Sequence, residues 1–167
     1  QKPNIGTDTI ILFIGGGNFG DLWIRHQEFR HKVMTDFPKN TIIQMPQSVH
    51  FGSEDYLKRD IDIFAKHNGK IAICLRDKKS FDFVKDNYKN VDTLLLPDMV
   101  LGFDLKRYCE DKGIGHKTGK GTLLVERNDC EKAENIAIDC EKYDSKDWPH
   151  MTRYPKRQYL FWGLCLI

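Results

Sequence analysis

The sequence predicts an α/β domain with a Rossmann-like parallel sheet and helices on both faces. Two observations support this fold class: short apolar runs alternate with longer amphipathic segments, and the connections between them are short. The apolar runs are mostly continuous, which is typical of strands that are covered on both faces. With 167 residues, the chain is long enough to bury the core of one such domain.

Five strands are predicted from the apolar runs. They cover residues 9–14, 41–45, 70–75, 91–96 and 122–126. The runs are short, and polar, glycine or proline residues flank them, as is usual for buried strands.

Three helices alternate with the first four strands. They are predicted over residues 21–37, from a cap at Ser53 to about residue 67, and from near Ser80 to about residue 89. Helical spacing selects their buried side chains: Leu22, Phe29, Val33 and Phe37 in the first, Leu57, Ile61, Phe64 and Ala65 in the second, and Phe81, Val84 and Tyr88 in the third.

Residues 102–121 are polar and punctuated by glycine, which predicts a loop or an extended linker. A short helix is predicted near residues 130–136. The chain is therefore expected to divide into a Rossmann-like domain over residues 1–101 and a less regular part over residues 102–167.

Composition argues against several classes of partner. Lys and Arg number 26 against 24 acidic residues, so nucleic acid is not an expected partner. The five cysteines show no CxxC motif and no paired spacing with histidine, so no metal site is expected. Their odd number favours reduced thiols in a cytosolic protein. Peripheral membrane association through Lys78, Lys79 and the apolar run 159–167 stays open, although the net charge of +2 gives it little support.

Residues 12–21 contain a glycine triplet, Gly15 to Gly17, followed by Asn18 and Asp21. A strand that leads through glycines into a helix brings bare backbone and free N–H groups to one place, where they can hold an anion or a sugar. A tight structural turn without a ligand explains the same residues equally well. The motif matches neither the G-x-G-x-x-G fingerprint nor the P-loop.

Ligands of parallel α/β sheets bind beyond the carboxyl ends of the strands. All five predicted strand ends are polar or rich in glycine, and we expect them to meet at one edge. The candidate site therefore combines backbone at Gly16 and Gly17 with the side chains of Asn18, Asp21, Gln47, Ser48, Arg76, Asp98 and Arg127.

Each candidate side chain suits a particular chemistry. Gln47 and Ser48 can bind hydroxyls, and Arg76 and Arg127 can clamp a carboxylate or a phosphate. Asp21 and Asp98 can accept hydrogen bonds from sugar hydroxyls or act as bases.

Structural explanations stay open beside these roles. Gln47 and Ser48 could close a turn, and Asp98 could cap the segment that follows it. Arg76 and Asp77 could form a surface pair that contributes little.

Several of these motifs, in this order, resemble the polysaccharide pyruvyl transferase family. They are Gly-Gly-Gly-Asn-Phe-Gly-Asp-Leu-Trp from residue 15, Phe37-Pro38, Ile-Gln-Met-Pro-Gln-Ser-Val from residue 43, Arg76-Asp77 with Ser80, and Leu-Pro-Asp-Met from residue 96. Val125 to Asp129 resembles the later Arg-x-Asp element of the family more loosely. The resemblance covers roughly residues 8–131, and five elements in order are far more specific than any one of them.

The resemblance implies a fold with two Rossmann-like halves facing a cleft, as in GT-B glycosyltransferases, and this chain would supply one half. It implies a reaction that moves a pyruvyl group from phosphoenolpyruvate to a sugar of an exopolysaccharide or cell-surface glycan. The donor is a substrate, so no cofactor is expected, and the acceptor is a glycan or lipid-linked sugar. The location would be cytoplasmic, including the inner face of the membrane.

The resemblance also assigns roles within the site. This half would supply mainly acceptor-side and cleft-lining groups, with the Arg76 guanidinium suited to a phosphate. Asp98 and Asp21 are the candidates for the general base.

Two alternatives stay open. The first is a sugar-nucleotide glycosyltransferase of similar fold, and the second is a non-catalytic carbohydrate-binding remnant.

Full family members are longer than this chain and carry an Asn-x-Gly-Asp turn before the first strand and an Arg-Leu-His element in the second domain. The present sequence contains no Arg-Leu-His. The chain is therefore expected to be an internal or truncated part of such a protein, with residues 102–167 leading toward the second domain.

Because the sequence contains no Arg-Leu-His element, we predict that the purified 167-residue chain has no transferase activity of its own. Phosphate release from phosphoenolpyruvate, measured with a sugar acceptor present, should equal the protein-free control. Phosphate release above that control would contradict the prediction that the chain is inactive.

Overall fold

The computed structural model describes residues 3–115, 122–125 and 144–146. The chain divides into two compact units, Gln1–Tyr108 and Cys109–Ile167. The elements, in chain order, are β1 (Ile11–Phe13), β2 (Gly16–Gly20), α1 (Ile24–Asp36), β3 (Ile42–His50), α2 (Glu54–Ala65), β4 (Ile71–Leu75), α3 (Lys78–Asn87), β5 (Asp92–Leu95), a 3-10 helix (Met99–Gly102), α4 (Leu105–Asp111), β6 (Leu123–Val125) and β7 (Asp144–Lys146).

The first unit is built on a parallel sheet, as the sequence predicts, and this sheet has five strands. Its order is β1-β3-β4-β5, and β2 also pairs with β3. β1 and β2 lie one after the other along the same side of β3, with Ile11 opposite Ile42 and Gly20 opposite His50. Together they form one edge strand whose register shifts by one residue between Gly16 and Phe19.

The glycine triplet does not form the predicted tight turn into a helix. Gly16–Gly20 are the β2 strand, and α1 begins only at Ile24. Glycine is needed here for close approach: a Cβ on Gly20 would lie 1.7 Å from the carbonyl oxygen of His50, and on Gly15 it would lie 2.6 Å from that of Pro46. β3 continues through His50, so Gln47 and Ser48 lie inside this strand rather than after it.

One face of the sheet packs against all three long helices. Ile71, Ile73 and Leu75 alternate along β4, so they share a face. They belong to one core together with Met34 of α1, Phe64 of α2, Val84 of α3 and Tyr88, which directly follows α3.

Helices on both faces were expected, and the described residues bear this out for one face only. On the other face, the side chains of Leu12 and Leu94 are 61% and 45% exposed. The cause is topological: the crossovers β1 to β3, β3 to β4 and β4 to β5 all step in the same direction. Right-handed crossovers that step in one direction place their helices on the same face.

The predicted buried face of α1 is half wrong. Leu22 and Phe29 are exposed, whereas Phe37 is buried and Val33 is partly buried. The side chains that α1 buries are Gln27, Arg30, His31 and Met34. A polar face can be buried in this way because its groups hydrogen bond to one another and to the neighbouring strands.

Three further expectations concern the later part of the chain. α4 lies within the segment that was predicted as a loop. The predicted fifth strand exists as β6, but it pairs with β7 in a separate two-stranded sheet, so the five strand ends do not meet at one sheet edge. The predicted helix near residues 130–136 lies outside the described residues.

Of the starts of α2 and α3, that of α2 has the predicted cap. Ser53 caps α2 by accepting a hydrogen bond from the backbone N–H of Tyr56. α3 begins at Lys78, close to the predicted Ser80, but its cap is Asp77. Within the described ranges, no helix is long and apolar enough to cross a membrane.

The close approach at Gly20 predicts that Gly20→Ala destabilises the fold by at least about 2 kcal/mol. The added methyl group would overlap the His50 carbonyl, and alanine rarely adopts the φ of +117° found here. Urea unfolding measures the change, with Gly102→Ala as the control because a Cβ there meets no atom within 4 Å. Equal stabilities of the two variants would contradict the close packing of β2 against β3.

Candidate functional site

A chain of hydrogen bonds joins the carboxyl ends of β3, β4 and β5. The hydroxyl of Ser48 accepts a hydrogen bond from Nε of Arg76 at 2.8 Å, and Nη1 of Arg76 donates to Oδ2 of Asp98 at 2.6 Å. Three of the residues that the strand-end rule selects are thus in direct contact. Arg76 pairs with Asp98 rather than forming the alternative surface pair with Asp77.

Asp77 connects this chain to α3. Its Oδ2 accepts hydrogen bonds from the hydroxyls of Ser48 at 2.8 Å and Ser80 at 2.9 Å, while its Oδ1 accepts from the N–H of Ser80. The hydroxyl of Ser80 also accepts from the N–H of Val49 at 2.9 Å. The N-cap of α3 therefore ties the start of this helix to β3. We call Ser48, Arg76, Asp77, Ser80 and Asp98 the strand-end cluster.

Both carboxylates of the strand-end cluster are stabilised in the charged form. At Asp77, burial opposes ionisation, but the hydrogen bonds from Ser80 and Ser48 and the charge of Arg76 outweigh it, so the pKa lies below its usual value. At Asp98, the hydrogen bond from the N–H of Val100 and the one from Arg76 lower the pKa. A lowered pKa makes either group a weaker proton acceptor while it keeps these partners.

Asp98 also has the capping role that was left open. Its Oδ1 accepts a hydrogen bond from Val100 at 3.0 Å, at the start of the 3-10 helix. The side chains of Asp98 and Arg76 are both 32% exposed, so a ligand can reach their ion pair.

Asp21 lies just beyond β2, and its carboxylate binds backbone. It accepts hydrogen bonds from the N–H groups of Gly52 at 2.9 Å and Ser53 at 2.7 Å. Asp21 therefore holds the loop that precedes α2, at the carboxyl end of β3.

Gln47 is fully buried and fixes the glycine segment from within. Its Nε2 donates to the carbonyl of Ile14 at 2.9 Å and to Oδ1 of Asn18 at 3.0 Å, and its Oε1 accepts from the N–H of Asn18. Gly17 is exposed, and a Cβ on Gly16 would meet nothing within 4 Å. The backbone of Gly16 and Gly17 is therefore open to a ligand, whereas the amide of Gln47 is already satisfied.

A buried arginine supports the same segment from α1. Arg30 is 3% exposed and donates to Oε1 of Gln44 at 2.7 Å, to the carbonyl of Asn18 at 2.9 Å and to Oε1 of Gln27 at 2.9 Å. It also donates to Oδ1 of Asn18. Burial lowers the pKa of the guanidinium to about 10 and the charge of Asp60 opposes this, so Arg30 stays protonated at neutral pH.

Asp60 provides the opposite charge in the interior. This fully buried carboxylate accepts hydrogen bonds from Nε2 of Gln27 at 2.6 Å, from His31 and from the hydroxyl of Tyr88. Burial and the neighbouring Asp60 charge raise the pKa of Tyr88, which keeps its hydroxyl a donor. Gln27 links the buried cation to the buried anion, since it accepts from Arg30 and donates to Asp60.

The sequence did not identify Arg30, Asp60 or the role of Asp77. One face of α1 is formed by Gln27, Arg30, His31 and Met34. A buried face is predicted from apolar residues at helical spacing, and only Met34 of these four is apolar. Asp77 directly precedes α3, and aspartate is a preferred N-cap residue. Arg127 lies outside the described residues. Within the described parts of the chain, no group of three or more His, Cys, Asp or Glu side chains could hold a metal ion.

The fold is thus an α/β domain with a parallel sheet, and its polar, arginine-bearing carboxyl edge is the edge at which open α/β sheets bind their ligands. The sequence model of the polysaccharide pyruvyl transferase family matches residues 1–161, and the chain belongs to this family.

Two curated relatives are similar along most of the chain. Pyruvyl transferase 1 of Schizosaccharomyces pombe is 41% identical over 154 residues, which are 91% of this chain and 37% of that protein. General stress protein 30 of Bacillus subtilis is 32% identical over 161 residues, 93% of this chain and 43% of that protein. The chain thus spans less than half the length of either relative.

The buried polar network predicts that Asp60→Leu destabilises the fold by about 3–5 kcal/mol. Leucine leaves the donors of Gln27, His31 and Tyr88 without their acceptor in the interior. The same substitution at exposed Asp62, in the same helix, should change stability by no more than about 0.5 kcal/mol. Chemical denaturation measures both variants, and similar losses at the two positions would contradict the network.

Proposed function

We propose that this chain acts as part of a polysaccharide pyruvyl transferase that moves a pyruvyl group from phosphoenolpyruvate to a sugar of an exopolysaccharide or cell-surface glycan. The observation that carries this proposal is the Arg76 guanidinium, held at the carboxyl edge of the sheet by Ser48 and Asp98 in a member of this family. The donor carries a carboxylate and a phosphate, and the planar fork of an arginine matches both groups.

Arg76 and Asp98 would act one after the other during the reaction. An anionic donor competes with Asp98 for the guanidinium, since both are acceptors for the same N–H groups. When an anionic donor displaces Asp98 from the N–H groups of Arg76, Asp98 loses a partner that lowers its pKa. Its carboxylate then becomes a better acceptor for the proton that the attacking sugar hydroxyl must lose.

The open backbone at Gly16 and Gly17 would bind the acceptor, a glycan or lipid-linked sugar. We propose no cofactor, because the donor itself supplies the transferred group. We propose a cytoplasmic location and a two-domain GT-B-like arrangement, in which this sheet forms one wall of the cleft.

The proposal predicts that the chain binds phosphoenolpyruvate through Arg76. Arg76→Lys keeps the charge but loses the fork, and should weaken binding about tenfold or more, the equivalent of one charge-assisted hydrogen bond. Isothermal titration calorimetry on the 167-residue chain measures the affinity.

Arg59→Lys is the matched control. Arg59 forms a comparable exposed ion pair, with Glu28 at 2.9 Å, on the helical layer instead of the strand-end cluster. Equal losses at Arg59 and Arg76 would contradict a site at Arg76. Tighter binding of a nucleotide sugar than of phosphoenolpyruvate would instead favour the glycosyltransferase alternative.

A further inference from the structure

The Arg76 guanidinium is held by two side-chain acceptors. Nε donates to Ser48 and Nη1 donates to Asp98, while Nη2 donates to no acceptor among the described residues. A guanidinium offers its ligand two parallel N–H groups, so its usefulness depends on how well its plane is fixed.

The Ser48 hydroxyl can serve as an acceptor for Arg76 because its proton is directed elsewhere. The hydroxyl donates its proton to Oδ2 of Asp77, and the two oxygens are 2.8 Å apart. The lone pairs of the Ser48 oxygen are therefore free to accept from Nε of Arg76. The carboxylate of Asp77 is itself fixed by two hydrogen bonds from Ser80, one from the N–H and one from the hydroxyl. Each hydrogen bond from the cap of α3 to the arginine therefore has a defined donor and acceptor: Ser80 donates to Asp77, Ser48 donates to Asp77, and Arg76 donates to Ser48.

We propose that Ser48, Asp77 and Ser80 are positioning residues that hold the Arg76 guanidinium in the orientation for binding an anionic ligand. We call these three residues the arginine brace. The inference rests on the proposed function, because the ligand is the phosphate or carboxylate of the donor. It assigns Ser48 a different role from the sugar contact that its sequence position suggested.

Hydrogen exchange at Nε of Arg76 tests the brace without any ligand. In the 15N-labelled chain, Arg76→Lys identifies the Nε–H signal by its loss. Ser48→Ala should accelerate exchange at this N–H about tenfold, because its acceptor is gone. Ser48→Thr should restore slow exchange, since threonine keeps the hydroxyl and suits a strand.

Two further variants separate positioning from general stability. Asp77→Asn keeps a good helix cap, but its amide presents an N–H group where the Ser48 hydroxyl needs an acceptor. Hydrogen exchange at Nε of Arg76 should therefore also accelerate. Ser53→Ala removes the cap of α2 at a similar cost in stability, and exchange at Arg76 should stay as in the unsubstituted chain. Unchanged exchange in Ser48→Ala, or equal acceleration in Ser53→Ala, would overturn the brace.

Titration with phosphoenolpyruvate and with inorganic phosphate then links the brace to binding. Ser48→Ala should weaken both ligands at least several-fold, and Ser48→Thr should recover most of the affinity. Affinity that is unchanged despite faster exchange overturns the inference and leaves the proposed function intact. Failure of the unsubstituted chain to bind phosphoenolpyruvate defeats the proposed function, and binding of inorganic phosphate alone would still support the brace as an anion-binding device.

Discussion

The position of α1 against the sheet depends on one buried charge, that of Arg30. A guanidinium in the interior is tolerated only when its N–H groups are met by acceptors and its charge is balanced. Here the acceptors come from β2, β3 and α1 itself, and the balancing carboxylate of Asp60 comes from α2 through the amide of Gln27. Tyr88, which follows α3, also donates to Asp60. The three helices and the edge strand thus share one network, and displacing any of them leaves a buried polar group unpaired.

This network explains how a glycine-rich segment can be an ordered strand. Glycine loses more backbone entropy on folding than any other residue, and β2 contains three of them. The side chains of Gln47 and Arg30 compensate by binding the backbone and side chain of Asn18. Ser48, the next residue of β3, belongs to the strand-end cluster. A single strand therefore connects the buried network to the exposed arginine.

Much of the fold could be predicted because its signals are local. Apolar runs mark β3 to β5, and Ser53 marks the start of α2 through a hydrogen bond three residues away. The errors at the glycine triplet and at α1 share one cause, since both depend on partners far along the chain. The glycine triplet becomes a strand because β3 pairs with it, and α1 buries Arg30 because Asn18 and Gln44 accept its hydrogen bonds. Within the site, Ser48, Arg76 and Asp98 were predictable from topology alone. Asp77 caps α3, and its second role is to accept a hydrogen bond from Ser48. This second role was not predictable, because it requires β3 to lie beside the cap.

The electrostatics of the strand-end cluster limit what Arg76 can do alone. Asp77 and Asp98 both have lowered pKa values, so both are ionised at neutral pH beside a single guanidinium. The positive charge of Arg76 is thus already compensated, and an anion gains little net attraction unless Asp98 yields its hydrogen bond or another cation joins the site. The sequence predicts Arg127 as a second clamp, which would supply that cation. An arginine held in this way contributes orientation from the start, and an anion gains net attraction at the site once Asp98 yields its hydrogen bond or a second cation is present.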